Sequence, residues 1–430
     1  MTKKQEKKND ESDIQDNYSK TKITFLKNDI VSLIVFLFSI SMVFISLISV
    51  VFPTLIASNN STIHELRELG ITLLQVDSFE TGIWAYPLFA ANFVVFITVL
   101  FHYKKKLPDS IKKSFEFLFG FEVSKKVTII VISILLAIYI GFSIQELTIE
   151  EHWEDYPDVK NRVQNWSPDQ IVNRFEPHVR YFFIWSSMNL FGNFSILPFI
   201  ASISLLLLTF FFTYEITKKR FAGIVALIIL LQSNLFLTYD TTVAYTNFWI
   251  LFYLLSLYLI YKVWPLSPVT YLLSIFSKAL TATFFPMSLF FIYRANIPKT
   301  TKVIVSSVIT ALIIGGVLVA TSGTNEDGIT GKQEDFDWDE FSLGFTSFSF
   351  QLRFDGLVLV FILPLIVGLF VASKHEITHA DSIMFLIGGI LFISPLLTGL
   401  TELTNQPYRF VPLVVFFAIG VGVLLSKNKN

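Results

Sequence analysis

The chain has 430 residues, of which 53% are hydrophobic and only 16% charged, and its mean hydropathy is +0.60. That composition excludes an ordinary soluble domain and marks a polytopic membrane protein. A net charge of −1 gives no global field for nucleic acid. The absence of cysteine excludes disulfides, thiolate metal sites and a cysteine nucleophile.

Residues 1–28 are polar and rich in Lys, Asp, Glu, Asn and Gln, and read as a disordered cytoplasmic tail. The first span after them is too long for a signal-peptide core and lacks a clear small-residue cleavage site. Hydrophobic segments then fall near 30–56, 84–102, 127–145, 191–213, 221–239, 246–262, 268–282, 283–294, 302–321, 356–373, 381–399 and 409–426. Crossing the hydrocarbon core takes about 20 apolar residues. Most segments meet this. The pair around 268–294 is short, contains Pro286 and weakens between Lys278 and Thr283, so it reads as two short spans or one broken hairpin. The expected fold class is all-α, with about twelve transmembrane helices.

With the N-terminus inside and twelve spans, the inside segments hold 24 of the 33 Lys and Arg and the outside loops hold 8, while Lys278 lies in a span. This bias places both termini in the cytoplasm. Three outside loops are long. Loop 57–83 carries the sequon Asn60-Ser61-Thr62, a pattern common by chance. Loop 146–190 opens with an acidic run, Glu146 to Asp158, and ends in His178 to Leu190. That last stretch is dominated by Tyr181, Phe182, Phe183 and Trp185 and is expected to be an amphipathic helix along the interface. Loop 322–355 is Gly-rich, then acidic, and its Glu334 to Glu340 run lacks EF-hand spacing and reads as solvated. There is no Walker A, GxGxxG or HExxH motif and no extramembrane segment of domain size, so any chemistry must use the membrane body and these loops.

Carboxylates crowded against a membrane face are costly there and invite a functional reading. Transfer of a sugar from a phosphate-linked donor needs a base for the acceptor proton and cations for the departing phosphate. Glu154, Asp155 and Asp158 are the candidate bases, sitting mid-run beside Trp153 and Tyr156. Glu146, Glu150 and Glu151 are alternatives nearer the span. Lys278, between apolar halves, must find a partner or snorkel, and can meet a lipid phosphate. Arg409 opens the last span on its outside end and suits bidentate phosphate contact, with Arg353 a similar case. His178 and Arg180 either orient a carboxylate and touch phosphate or contact lipid headgroups. Asp240 is pinned at the outer face, as an acceptor or metal contact or as a helix-end residue. The acidic clusters suit hard divalent cations such as Mg²⁺ or Mn²⁺.

With these residues in view, 126–426 resembles the GT-C membrane glycosyltransferases of the protein-mannosyltransferase and aminoarabinose-transferase type. The Glu146–Asp158 run resembles that family's acidic first outside loop with its interfacial helices. Pro177-His178-Val179-Arg180-Tyr181 resembles the family's "His-Pro-Pro-Leu" region, and Phe191-Gly192-Asn193 its Phe-Gly turn. Ser277-Lys278-Ala279-Leu280 resembles a "Thr-Lys-Gly" segment, and Pro407-Tyr408-Arg409-Phe410 an "Arg-Tyr" opening of a late span. Leu197-Pro198-Phe199 stands where the family's usual arginine follows the Phe-Gly turn. Residues 29–115 form a two-span N-terminal extension matching nothing nameable, and 427–430 are a cytoplasmic tail. The resemblance implies sugar transfer from a polyprenyl-phosphate carrier to a protein, lipid or glycan acceptor on the extracytoplasmic face. Asp155 or a neighbour would then be the base, and Lys278 and Arg409 would contact the carrier phosphate. The alternatives are a non-catalytic membrane subunit of GT-C type and a transporter or flippase; no inverted repeat supports the latter.

Overall fold

The computed structural model describes residues 30–53, 55, 79–167, 178–322, 336–345, 355–375, 377, 379–400 and 407–426, without the side chains of 102, 103, 178 and 316–322. The tail, the sequon, the Gly-rich part of loop 322–355 and Arg353 lie outside the described residues. The described chain is helical throughout, with no strand. Six helices are long and apolar enough to cross a membrane: Ile30–Val51, Lys125–Thr148, Ile196–Thr217, Gly356–Lys374, Ala380–Leu400 and Pro407–Leu424. Five shorter apolar helices accompany them, Ala85–Phe101, Arg220–Leu231, Phe248–Lys262, Leu266–Ser277 and Ala279–Arg294. The chain is therefore an all-α membrane protein.

In chain order, α1 is Ile30–Val51, α2 Ala85–Tyr103, α3 Asp109–Gly120, α4 Lys125–Ser143, α5 Tyr156–Asn165, α6 His178–Phe191, α7 Ile196–Thr217, α8 Arg220–Leu231 and α9 Asn234–Thr238. There follow α10 Phe248–Lys262, α11 Leu266–Ser277, α12 Phe285–Arg294, α13 Lys299–Ser322, α14 Trp338–Gly344, α15 Gly356–Lys374, α16 Ala380–Leu400 and α17 Val411–Leu424. Short 3₁₀ turns, Ile144–Thr148, Ala279–Phe284 and Pro407–Phe410, extend α4 and lead into α12 and α17.

The last helix is the centre of the bundle. From Val411 to Gly420 every residue of α17 is buried, and it is enclosed by α7, α8, α15 and α16. Lipid tails are as apolar as leucine, so close packing rather than water exclusion holds such helices together. Two glycines permit it. A Cβ on Gly422 would come within 2.4 Å of Thr213 Cγ2, and one on Gly388 within 2.8 Å of Ser39 Cα. The second contact seats α1 directly on α16, where Ser39 Oγ also donates to the Met384 carbonyl at 2.9 Å. The leading span is thus packed into the same core as the helices from 126 onward.

The bundle has two chemically distinct ends. At one, Lys219 is buried and its ammonium donates to the carbonyls of Leu118, Phe119 and Leu425 at 3.3, 2.8 and 3.0 Å. A lysine there satisfies helix carbonyls that would otherwise be orphaned in apolar surroundings. The same end holds Glu215 between Lys218 and Lys262 and the ion pair Arg294–Asp381 with Ser32 bridging it. The other end of α7 abuts Asp240, through Ser202 Oγ donating to the Asp240 carbonyl at 2.7 Å. The acidic run lies at that end.

The short pair around Lys278 resolves as a broken passage. α11 stops at Ser277, Lys278 is extended, and a 3₁₀ turn precedes α12, which has Pro286 in its first turn. At about 1.5 Å per residue, neither α11 nor α12 covers a hydrocarbon core about 30 Å thick. The break therefore falls inside the bundle's outline, where a lysine backbone and side chain can be presented.

Candidate functional site

Three local devices assemble the site. The first is the turn between α6 and α7. Gly192 takes a positive φ of 69°, which a side chain would disfavour. Asn193 then fixes the turn: its Oδ1 accepts from Ser195 N at 2.7 Å and its Nδ2 donates to the Leu147 carbonyl at 2.7 Å. The Phe-Gly turn is thereby tied to the start of the acidic run.

The second device is the clasp between the acidic run and the loop 239–247. The Glu151 carboxylate accepts from the backbone N–H groups of Val243 and Ala244. Burial pushes its pKa up, and the two amides and Arg180 partly offset this. Trp153 stacks on Tyr239 at 5.3 Å and meets the edge of Tyr245. Asp155 Oδ2 accepts from the Tyr245 hydroxyl at 2.8 Å, and burial together with that carboxylate holds the Tyr245 phenol above its usual range. Tyr156, Val159 and Val163, spaced as one helix face, bury α5 against the bundle.

The third device is an aromatic bridge. Tyr245 stacks on Tyr408 with ring centres 4.4 Å apart. The Lys278 ammonium sits over the opposite partner in this chain, 3.5 Å from the Tyr408 centroid and 5.4 Å from that of Trp249. The charged groups that act on this ammonium electrostatically are Arg409, Arg180 and Asp155. Arg180 also faces Glu151. Five residues from four separate stretches of sequence therefore converge: Glu151 and Asp155 on one side, Arg180, Lys278 and Arg409 on the other. Among the described residues none of the three cations makes a salt bridge. The Nε atoms of Arg180 and Arg409 are buried without a hydrogen-bond partner. Beneath Arg409 a small apolar cleft is lined by Leu280, Phe284, Ile390, Ile393 and Leu397, with Ser394 at its side.

The other candidates fall apart from this group. Glu154 and Asp158 are exposed, as is Asp155; α5 buries its Tyr156–Val159–Val163 face and so aims Asp158 outward, while Asp155 alone of the three accepts from Tyr245. Glu150 is exposed and paired with Lys160 at 2.8 Å, which holds its pKa low. Asp240 is buried against the end of α4, accepting from Ser143 Oγ at 3.0 Å. Burial raises its pKa to about 6, with Tyr139 and Ser143 pulling it down and Glu146 up. It ties the end of α4 to the loop after α9, whose Asp240 carbonyl is held in turn by Ser202 of α7. His178 opens α6, but its side chain lies outside the described residues, as does all of Arg353. Among the described residues no three Asp, Glu or His side chains gather to hold a cation, so the Mg²⁺ or Mn²⁺ expectation finds no donor set there.

α6 departs from the amphipathic helix expected. Tyr181, Ile184 and Ser187 are buried, while Phe182, Leu190 and Phe191 are exposed and equally apolar. A helix apolar on all sides packs one face on protein and leaves the other for lipid.

Tyr245 is the residue no pattern in the sequence singles out, and Tyr408 enters there only as the neighbour of Arg409; Glu151 stands among the alternative carboxylates. Tyr408 adjoins Arg409, but no local pattern says that its ring carries Lys278 or meets Tyr245. Comparison of the chain with protein-family models, with curated proteins and with solved structures returns no match.

Proposed function

We propose that the protein is a membrane glycosyltransferase of GT-C type, moving a sugar from a polyprenyl-phosphate carrier to an acceptor on the extracytoplasmic face. In this reading the chain makes about twelve passages with both termini in the cytoplasm. The acidic end of the bundle then faces outward. The observation that carries the proposal is the trio Arg180, Lys278 and Arg409, gathered at one end of the bundle without a salt bridge among the described residues. Three clustered cations repel one another and are costly near hydrocarbon. An arrangement of this kind is relieved by an anion, and a lipid phosphate is the anion a membrane supplies. Arginine offers it a planar pair of donors and lysine a point charge.

Asp155 is the proposed base. It is exposed, lies on the acceptor side of the cations and is oriented by the Tyr245 hydroxyl. It would take the acceptor proton as the acceptor oxygen attacks the sugar carbon. The bond from that carbon to the phosphate oxygen breaks, and the cations stabilise the phosphate that leaves. Attack opposite the leaving phosphate inverts the sugar carbon. Glu151, with both oxygens engaged by backbone amides, holds the loop that carries Asp155.

The direct test of the ligand class is binding of a polyprenyl phosphate to the detergent-purified protein, measured by native mass spectrometry. Wild type should bind it, and Lys278→Ala, Arg409→Ala and Arg180→Ala should each weaken binding about tenfold or more, as loss of one charge-assisted contact does. Equal binding by all four would remove the trio from the phosphate site.

A further inference from the structure

The helix α3 carries a surface that the proposed reaction does not use. Its 12 residues, DSIKKSFEFLFG, join α2 to α4, and none of them is buried. Ile111, Phe115, Leu118 and Phe119 follow the i, i+4, i+7, i+8 spacing of one helix face. Lys112, Lys113 and Glu116 lie off that face, with Lys112 and Glu116 paired at 3.8 Å; Phe117 stands beside Lys113 and turns its ring to Phe121 at 5.3 Å. The helix spans about 18 Å at 1.5 Å per residue, so its exposed phenylalanines are not the lipid-facing side of a membrane crossing. Residues 103–126 hold seven lysines against three acidic residues, and Lys104, Lys105, Lys106, Lys125 and Lys126 are all exposed.

The position of α3 is fixed. Lys219 grips the Leu118 and Phe119 carbonyls at its C-terminal end, and Phe121 sets its ring edge-on to Phe221 at 5.0 Å. These contacts hold α3 at the α7–α8 turn, the end of the bundle opposite the Lys278 site. A short helix with an aromatic face, flanked by exposed lysines at the end of a membrane bundle, matches the chemistry of an interfacial helix on an anionic leaflet.

We propose that α3 lies in the plane of the membrane interface and docks on anionic phospholipid headgroups. Phe115 and Phe119 enter the headgroup–acyl boundary, and the lysines of 104–126 take the lipid phosphates. The proposal is independent of sugar transfer. It predicts a lipid preference at the end of the molecule away from the candidate site.

The chain contains no cysteine, so single-cysteine variants take a spin label without background. Full-length Phe115→Cys, Phe119→Cys and Lys113→Cys proteins, each checked for folding by thermal unfolding, would be placed in vesicles of phosphatidylcholine alone or mixed with phosphatidylglycerol. Labels at 115 and 119 should be relaxed by membrane-dissolved oxygen more than by an aqueous nickel chelate, and the label at 113 the reverse. Phosphatidylglycerol should deepen the labels at 115 and 119. Replacing Lys104, Lys105, Lys106, Lys112 and Lys113 together by Gln should abolish that deepening. Equal access of the nickel chelate to all three positions would overturn the proposal, and so would a depth indifferent to phosphatidylglycerol in the lysine-bearing protein.

Discussion

The ammonium of Lys278 lies 3.5 Å from the centre of the Tyr408 ring, and that same ring stacks on Tyr245, whose hydroxyl binds Asp155. One aromatic pair thus sets the spacing between the proposed phosphate cation and the proposed base. Cation–π contact contributes roughly 2 kcal/mol when desolvated. Tyr408→Phe keeps the ring and should leave transfer within about threefold of wild type. Tyr408→Ala should lose roughly tenfold or more, about 1.4 kcal/mol per factor of ten. Steady-state rates of the two variants, each verified as folded, check this. Equal losses would mean the hydroxyl matters and the ring does not.

Tyr245→Phe keeps the stack and removes the hydrogen bond to Asp155. A bond to a charged acceptor contributes about 1.5–3 kcal/mol. The expected outcome is a fall in kcat of about tenfold or more with KM for the lipid donor nearly unchanged, because the bond orients the base and does not touch the phosphate. A rise in KM alone would assign Tyr245 to donor binding.

The buried Asp240 makes the fold sensitive to pH. Its pKa rises from 3.8 to about 6 on folding. The folded state therefore holds the proton more tightly, and stability falls as pH rises from about 4 through about 6. The full cost of ionising it, up to roughly 3 kcal/mol, is present above that window. Asp240→Asn can still accept from Ser143, and should remove the fall. Thermal unfolding in detergent at pH 4 and pH 8 measures it: the variant should gain on wild type markedly more at pH 8 than at pH 4. A gain of equal size at both pH values would assign the effect to packing.

At the opposite end Arg294 and Asp381 form a buried pair joined by Ser32. Removing one partner strands the other, at a cost of about 3–5 kcal/mol. Asp381→Ala should therefore unfold at markedly lower temperature, while Arg294→Met with Asp381→Leu should recover most of the loss. A double variant no better than the single would show that the pair supports the fold by more than mutual neutralisation.

The helical class and the six helices long enough to cross a membrane were legible because long apolar runs have few other solutions in a membrane. The break at Lys278 was legible for the same reason: a charge and a nearby proline interrupt an apolar run that is already short. Lys278, Arg409 and Arg180 stood out because cations are rare in such company. What was hidden is pairwise and distant. The hydrogen bond for which Asp155 is proposed as the base could not be read from the sequence, since its donor, Tyr245, lies 90 residues away. Asp240 read as an acceptor or metal contact or a helix-end residue at the outer face; its burial could not be read, because it comes from α4 covering it with Ser143 and Tyr139.

Sugar transfer tests the central claim most directly. The purified wild type, reconstituted in vesicles, would be supplied with a panel of polyprenyl-phosphate sugars and membrane acceptors, beside Asp155→Asn, Lys278→Ala and Arg409→Ala, each checked for folding. Transfer by wild type from at least one donor, lost in all three variants while Glu154→Gln and Asp158→Asn retain it, is the predicted result. A well-folded wild type that transfers none of the panel, or one whose activity survives both Lys278→Ala and Arg409→Ala, would contradict it.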